Sequence, residues 1–362
     1  MIIDAAIDLV KVLFVIGFVM NVAGLLTWVE RKQSAVIQDR IGANRADIFG
    51  FRLIGLFHPI ADGLKMMTKE DFVPPGGNRF LHTLAPFIAF FPPLLAFAII
   101  PFGDVLHIGS RAIPLQVVDF NVGILYFFAV GGMGIYGVVL AGWSSNNKFS
   151  LMGGLRASAQ LISYEITLGL SIIGILMVFN TLQLSEINRA QGELLFGFIP
   201  KWGVVVQPFA FLLFLTAAVA ESKRIPFDLP ESESEIIGYF TEYSGMKWGM
   251  FMFADFIETT VVAGIVTSLF FGGWQVPFLL ADGFHIPGGF FFGLPHLLVV
   301  LLQVGSFVFK VVFFCWLLMT IRWTLPRFRY DQLMRLGWKY MLPLALINVL
   351  VTGVVIIAFQ GL

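Results

Sequence analysis

Apolar residues fall into eight long runs, at 7–29, 84–100, 122–142, 161–179, 204–220, 250–271, 297–319 and 341–359. A helix rises 1.5 Å per residue, so about 20 mostly apolar residues cross a hydrocarbon core roughly 30 Å thick. Lipid offers no partner to backbone N–H and C=O groups, so each run is expected to be a helix rather than an open strand. The pattern therefore predicts an all-α membrane protein with about eight transmembrane helices. Between the first two runs, Leu53, Phe57, Ile60, Leu64 and Met67 recur at helical spacing, with Asp62, Lys65 and Lys69 among them. That periodicity predicts a surface amphipathic helix, kinked at His58-Pro59. Nothing in the pattern marks an internal repeat, a long linker or a separate soluble domain, so residues 1–362 read as a single integral membrane domain.

Charge orients the spans. The first loop carries eight cations, Arg31, Lys32, Arg40, Arg45, Arg52, Lys65, Lys69 and Arg79. The odd-numbered loops together carry 18 Lys and Arg, whereas the even-numbered loops carry only Arg111, Arg189 and Lys201. By the positive-inside rule the odd loops face the cytoplasm, and both termini of an eight-span chain face the other side. The amphipathic helix then belongs to the first cytoplasmic loop. Asp4, Asp8 and Lys11 mark the start of the first apolar run, unlike the basic start of a cleaved signal, so that run is expected to be the first span.

Composition agrees with the pattern and excludes several functions. Hydrophobic residues make up 58% and charged residues 13% of the 362, about half the charged share of a soluble domain. Net charge is zero, so no basic nucleic-acid surface is expected. The single cysteine, Cys315, cannot build an iron–sulfur cluster or a four-cysteine zinc site. His58, His82, His107, His285 and His296 show no metal-ligand spacing. The glycines between Gly131 and Gly137 lie within a span, where they suit close helix packing better than a nucleotide.

The chemistry should lie with charges placed where charge is costly, at least about 2.5 kcal/mol each on insertion scales. Glu165, Asp255, Glu258 and Lys310 lie inside runs, while Glu30 and Glu221 close them. Asp255 and Glu258 share a helix face. Glu30 reads equally as an interfacial anchor or a functional group. The fifth loop is the densest, with Glu221, Asp228, Glu231, Glu233, Glu235 and Glu242 against Lys223, Arg224 and Lys247. Crowded carboxyls titrate as a coupled set, which suits a proton relay, although a solvated acidic loop has the same composition.

Several segments are similar to one family. They are Glu30-Arg31-Lys32; Arg40-Ile41-Gly42-Ala43-Asn44-Arg45; Ala61-Asp62; Ala141-Gly142-Trp143-Ser144-Ser145-Asn146-Asn147-Lys148; and Ser163-Tyr164-Glu165. Pro226-Phe227-Asp228-Leu229-Pro230-Glu231, Glu242-Tyr243-Ser244-Gly245-Met246-Lys247 and Leu325-Pro326-Arg327-Phe328-Arg329-Tyr330-Asp331-Gln332 follow. In this order the chain resembles the H subunit of bacterial NADH–quinone oxidoreductases (respiratory complex I), the counterpart of mitochondrial NADH dehydrogenase subunit 1. It departs at Ala43, where the family carries proline, and at Asp255, where it carries glutamate.

The resemblance implies a subunit that forms much of a quinone tunnel and couples quinone reduction to proton translocation. It places proton coupling at Glu165, Glu221, Asp228, Glu231, Glu233, Glu235, Glu242 and Asp255, with Glu258 sharing the last role. It places Glu30, Arg31, Arg40, Arg45 and Asp62 along the tunnel. It implies quinone as the substrate bound at an interface, with flavin and iron–sulfur clusters held outside this chain. The implied partners are peripheral-arm iron–sulfur and quinone-site subunits, small membrane subunits, antiporter-like subunits and lipid, within a cell inner membrane. A membrane-bound hydrogenase anchor and a solo ion transporter remain alternatives on the residues alone.

Overall fold

A computed structural model describes residues 2–109, 111–195, 197–229, 238–280, 282–286 and 290–360. Among them the helices are α1 (Ile2–Ile37), α2 (His58–Thr68), α3 (Arg79–Phe97), α4 (Gly123–Ser144) and α5 (Lys148–Phe179), then α6 (Leu184–Ala190), α7 (Gly203–Val206) and α8 (Pro208–Glu221). The chain continues with α9 (Gly245–Phe270), α10 (His296–Thr324), α11 (Tyr330–Arg335) and α12 (Leu342–Gln360). Seven helical stretches are long and apolar enough to cross a membrane, and Pro208–Glu221 is a shorter apolar helix. The chain is an all-α membrane protein, as its apolar runs predict. The fifth span is broken: Gln207, before Pro208, leaves the helical region at φ −135° and ψ 61° and separates α7 from α8.

Two boundaries differ from the expected ones. The polar stretch before the fourth apolar run is helix rather than loop, because α5 begins at Lys148. Asn147 starts it by accepting the Phe149 N–H at 3.0 Å. Its first turns carry glycine, alanine and serine, so hydropathy alone misses them. The last span likewise begins early, since α11 runs through a π-helical stretch, Leu336–Met341, into α12. In the first loop, Pro59 occupies the first turn of α2 and starts that helix instead of kinking it. Leu53 lies outside it, in a separate short 3-10 turn.

Helix α9 is the axis of the bundle: 78% of its apolar window is buried, against 22% for α1. It packs against α1, α2, α3 and α10. Small residues permit that approach. A Cβ on Gly264 would stand 2.9 Å from the Ile100 side chain and 3.3 Å from Phe97. The buried Thr259, Thr260 and Thr267 donate to carbonyls one turn back in α9, so their hydroxyls are satisfied within the helix. Two short antiparallel strand pairs (105–114 and 194–200) and a three-stranded antiparallel sheet (279–293) occupy the even-numbered loops. The buried charges gather at the opposite end, where α1, α2, α5, α8 and α9 meet the odd loops.

Candidate functional site

The loop after α8 begins with two adjacent cations that point to different places. Lys223 has a left-handed backbone, φ 55°. Its ammonium donates to Asp255 and to Glu258, each at 3.1 Å. Burial opposes its charge, but Glu258 and Asp255 outweigh that effect and hold it charged well above the ordinary lysine range. Arg224 is also buried; it donates to Glu30 at 3.2 Å and lies 4.3 Å from the centre of the Phe256 ring. Arg322, from α10, meets the other oxygen of Glu30 at 3.1 Å. Glu30 is therefore held by two arginines, more than an interfacial anchor needs.

Lys223 also lines a cavity shared by α3, α4, α5, α8 and α9, with Glu165, Glu221 and Glu258 in its wall. About 40 Å³ is open to water centres there, enough for water among polar groups. Among the described residues Lys223 is the cation of this cluster, and its ion pairs go to Asp255 and Glu258. Glu165 and Glu221 have no ion-pair partner among the described residues, and one Glu221 oxygen is buried without a hydrogen bond. Two glycines of α4 make the room. A Cβ on Gly132 would stand 3.1 Å from a Glu165 oxygen, and one on Gly131 3.7 Å from Glu221. Gly137, by contrast, serves packing: its Cβ would come within 2.7 Å of the Ala89 backbone nitrogen.

A second cavity of about 210 Å³ opens between α1, α2 and α9. Glu30, Arg31 and Asp62 supply its polar edge, and Met66, Trp248, Met252, Phe253 and Phe256 line its apolar wall. Arg31 donates to Asp62, which Lys65 approaches at 3.8 Å. An apolar, aromatic slot with a few charged groups at one end suits a flat, mostly apolar ligand with a polar head.

A family profile described as NADH dehydrogenase matches residues 10–353. A protein of Cytophaga hutchinsonii, named as an H subunit (number 1) of NADH-quinone oxidoreductase, is 46% identical over 97% of this chain and 96% of its own length. The H subunits of Flavobacterium psychrophilum and Geobacter metallireducens (the latter also number 1) are each 44% identical over 97% of this chain, covering 97% and 96% of their own lengths. The chain belongs to the H-subunit family of NADH–quinone oxidoreductases. It is a multi-pass membrane subunit of a multisubunit oxidoreductase.

The remaining expected positions of this family member divide unevenly. Asp228 is buried and accepts from Arg327 at 2.7 Å. That contact ties the fifth loop to the seventh, as does the Phe328 N–H donating to the Pro226 carbonyl at 3.0 Å. Gln160 adds two bonds of 2.7 Å from α5, to the Ala220 and Phe227 carbonyls. Glu242 accepts from Asn147 at 2.7 Å. Glu231, Glu233 and Glu235 lie outside the described residues. Arg40 and Arg45 line neither cavity; Arg40 is exposed and bonds Gln38 and Ser34 instead. Lys310 has a structural occupation, donating to the Phe271, Gly273 and Gln275 carbonyls at 2.7–3.0 Å and so holding the turn that ends α9. Sequence reasoning counted Lys223 and Arg224 as orienting charges and as counter-charges to the acids of the fifth loop as a whole, and Arg322 as an orienting charge alone. Their adjacency to Glu221 in one loop and to the last basic loop is the signal that could have singled them out.

Proposed function

We propose that this subunit forms much of the quinone-binding tunnel of its complex and couples quinone reduction to proton translocation. The observation that carries the reading is the Lys223-Arg224 peptide, which joins the two cavities. Arg224 reaches Glu30 at the quinone cavity, and Lys223 reaches Asp255 and Glu258 beside Glu165 and Glu221. Quinone is the substrate. Two electrons arrive from an iron–sulfur partner, and two protons complete the quinol. Negative charge developing on the quinone head competes with Glu30 and Asp62 for Arg31, Arg224 and Arg322. A shift of Arg224 displaces Lys223, its chain neighbour, and changes how the acid cavity holds protons. Such coupling exists only as a free-energy difference between two states. It must supply about 2.3 kcal/mol for each proton moved against 100 mV.

On this reading Asp228, Glu231, Glu233, Glu235 and Glu242 extend the acid path along the fifth loop. Arg40 and Arg45 lie on the loop that faces the peripheral arm. The odd loops face the cytoplasm, both termini face the other side of the cell inner membrane, and residues 1–362 form one membrane domain. The partners are the peripheral-arm iron–sulfur and quinone-site subunits, the small membrane subunits and the antiporter-like subunits.

The test is the intact complex in vesicles, carrying Glu165→Gln or Glu221→Gln. Each is isosteric and removes only the exchangeable charge. Proton uptake is expected to fall by about a hundredfold or more, the scale of losing a proton-transfer group, with a normal amount of assembled complex. Wild-type proton uptake in both variants would end the assignment.

A further inference from the structure

Above the acid cavity, toward the fifth loop, sits a second and separate core. It consists of Ala85 and Ala89 of α3, Val138 and Ala141 of α4, Ala157 and Leu161 of α5, Phe251 of α9, and the loop residues Tyr239 and Tyr243. Ala89 and Leu161 line the acid cavity as well, so this core is its roof. One imidazole is built into it. His82, in the first turn of α3, is 0% exposed, and among the described residues neither ring nitrogen has a partner at hydrogen-bond geometry. Its ring lies flat on Tyr243, with centroids 3.9 Å apart and planes 5° from parallel.

Packing alone does not account for this residue. A phenylalanine would stack equally well and would bury no unsatisfied nitrogen. The surroundings have a direction. The charged groups around the ring are Lys247 at the start of α9, Asp71 in the loop before α3, and Glu242 in the fifth loop, whose backbone carbonyl also acts on the imidazole. Asp71, paired with Lys247 at 2.9 Å, is half-exposed and opens this side to water. Within the roof Tyr239 and Tyr243 both pack edge-on against Phe251. Tyr239 in turn acts on the Lys223 ammonium, which belongs to the acid cavity.

We propose that His82 carries protons from the odd-loop face through this roof into the acid cavity. The inference rests on the proton-coupling reading of that cavity. Imidazole is suited to the step because it accepts a proton on one ring nitrogen and releases one from the other. A proton from water beside Asp71 and Glu242 binds one nitrogen, and the proton on the other leaves toward the carboxylates of the acid cavity. Nothing is oxidised, and the ring ends neutral once it turns over. Tyr243 holds the ring in place, and the dry roof prevents leakage between turnovers.

The experiment uses the whole complex in vesicles and measures NADH-driven proton uptake against pH. H82F keeps the stacked ring and removes both nitrogens. Its proton uptake is expected to fall by about tenfold, less than the hundredfold or more common for an acid–base group because water retains a slow route. Its pH profile is expected to lose the step that a titrating imidazole gives. H82G leaves a ring-sized gap; added imidazole is expected to restore uptake, whereas pyrazole, of the same shape but far less basic, is not. Wild-type uptake in H82F, or equal rescue by pyrazole, overturns the proposal. Should H82F fail to assemble, the contrast between imidazole and pyrazole in H82G decides alone. Loss of uptake in E165Q with normal uptake in H82F would remove His82 and leave the cavity reading intact. Normal uptake in both E165Q and E221Q would remove the destination of the proton, and both readings with it.

Discussion

Two charged regions meet at the Lys223-Arg224 peptide and balance charge in opposite ways. Around the cavity between α1, α2 and α9, Glu30 and Asp62 are met by Arg224, Arg322, Arg31 and Lys65. Around the cavity beneath α3 and α4, Glu165, Glu221, Asp255 and Glu258 share Lys223 among the described residues. A region rich in cations stabilises negative charge brought by a ligand. A region rich in acids, short of counter-ions and wet enough for water, stabilises its charge by taking up protons. On the proposed reading the difference gives each half a separate task, electrons at one and protons at the other, and leaves two successive residues of backbone to connect them.

The most severe way to break the contrast is to remove its single cation. Lys223→Met strands Asp255 and Glu258, and breaking a buried pair by deleting one partner costs about 3–5 kcal/mol. Assembled complex is expected to fall sharply, as read by thermal unfolding in detergent. Adding Glu258→Gln should recover a large part of that loss, since one stranded charge is then gone. A double variant no more stable than Lys223→Met would mean that Lys223 does not offset Glu258.

A milder pair of substitutions separates the two tasks. Glu30→Gln leaves Arg224 and Arg322 facing a neutral amide, so quinone binding and turnover change by about tenfold or more, on the scale of one lost charged hydrogen bond. The protons moved per quinone reduced should stay as they were. Glu165→Gln should lower that ratio. Steady-state quinone kinetics beside vesicle acidification tells the two apart, and a falling ratio in Glu30→Gln would merge the regions into one. Smaller again is a contrast within α4. Gly137→Ala drives a methyl against the Ala89 backbone, which cannot step aside, and overpacking of that kind costs about 1–3 kcal/mol. Gly132→Ala presses on the end of the Glu165 side chain instead, which can turn away. Its stability should hold while proton uptake slows.

What could be read in advance followed from strong signals. Eight apolar runs and an 18-to-3 distribution of loop cations come from the cost of charge in hydrocarbon, and each long apolar helix of the structure answers to one of the runs. The acids at 165, 221, 255 and 258 stood out for the same reason. Hydropathy could not show which cation each acid would meet, because Lys223 and Arg224 are neighbours in sequence and their separation depends on one left-handed residue. It also assigned Lys310 a charge-handling role, since the three carbonyls around its ammonium come from a turn 35–39 residues away. The glycines of α4 were legible as packing residues, correctly for Gly137. The space Gly131 and Gly132 leave for the acids needed the position of α5 and α8.

The smallest expected effect tests whether the roof of the acid cavity is dry. Burial pushes the Tyr243 hydroxyl up from about 10 to about 12, against a weaker opposite pull from its 3.1 Å hydrogen bond with Ser144. The folded protein therefore holds the phenol proton more tightly than the unfolded chain. Stability from this source is complete below pH 10 and is lost as the pH rises through about 12. Tyr243→Phe keeps the ring on His82 and removes the ionisable oxygen, so alkaline unfolding curves should decline less steeply in the variant across that window. A wet roof would hydrate the phenolate, bring the hydroxyl back toward 10 and make the two curves coincide. The dividing layer between the odd-numbered loops and the cavity acids would then be open, and protons would need no histidine to cross it.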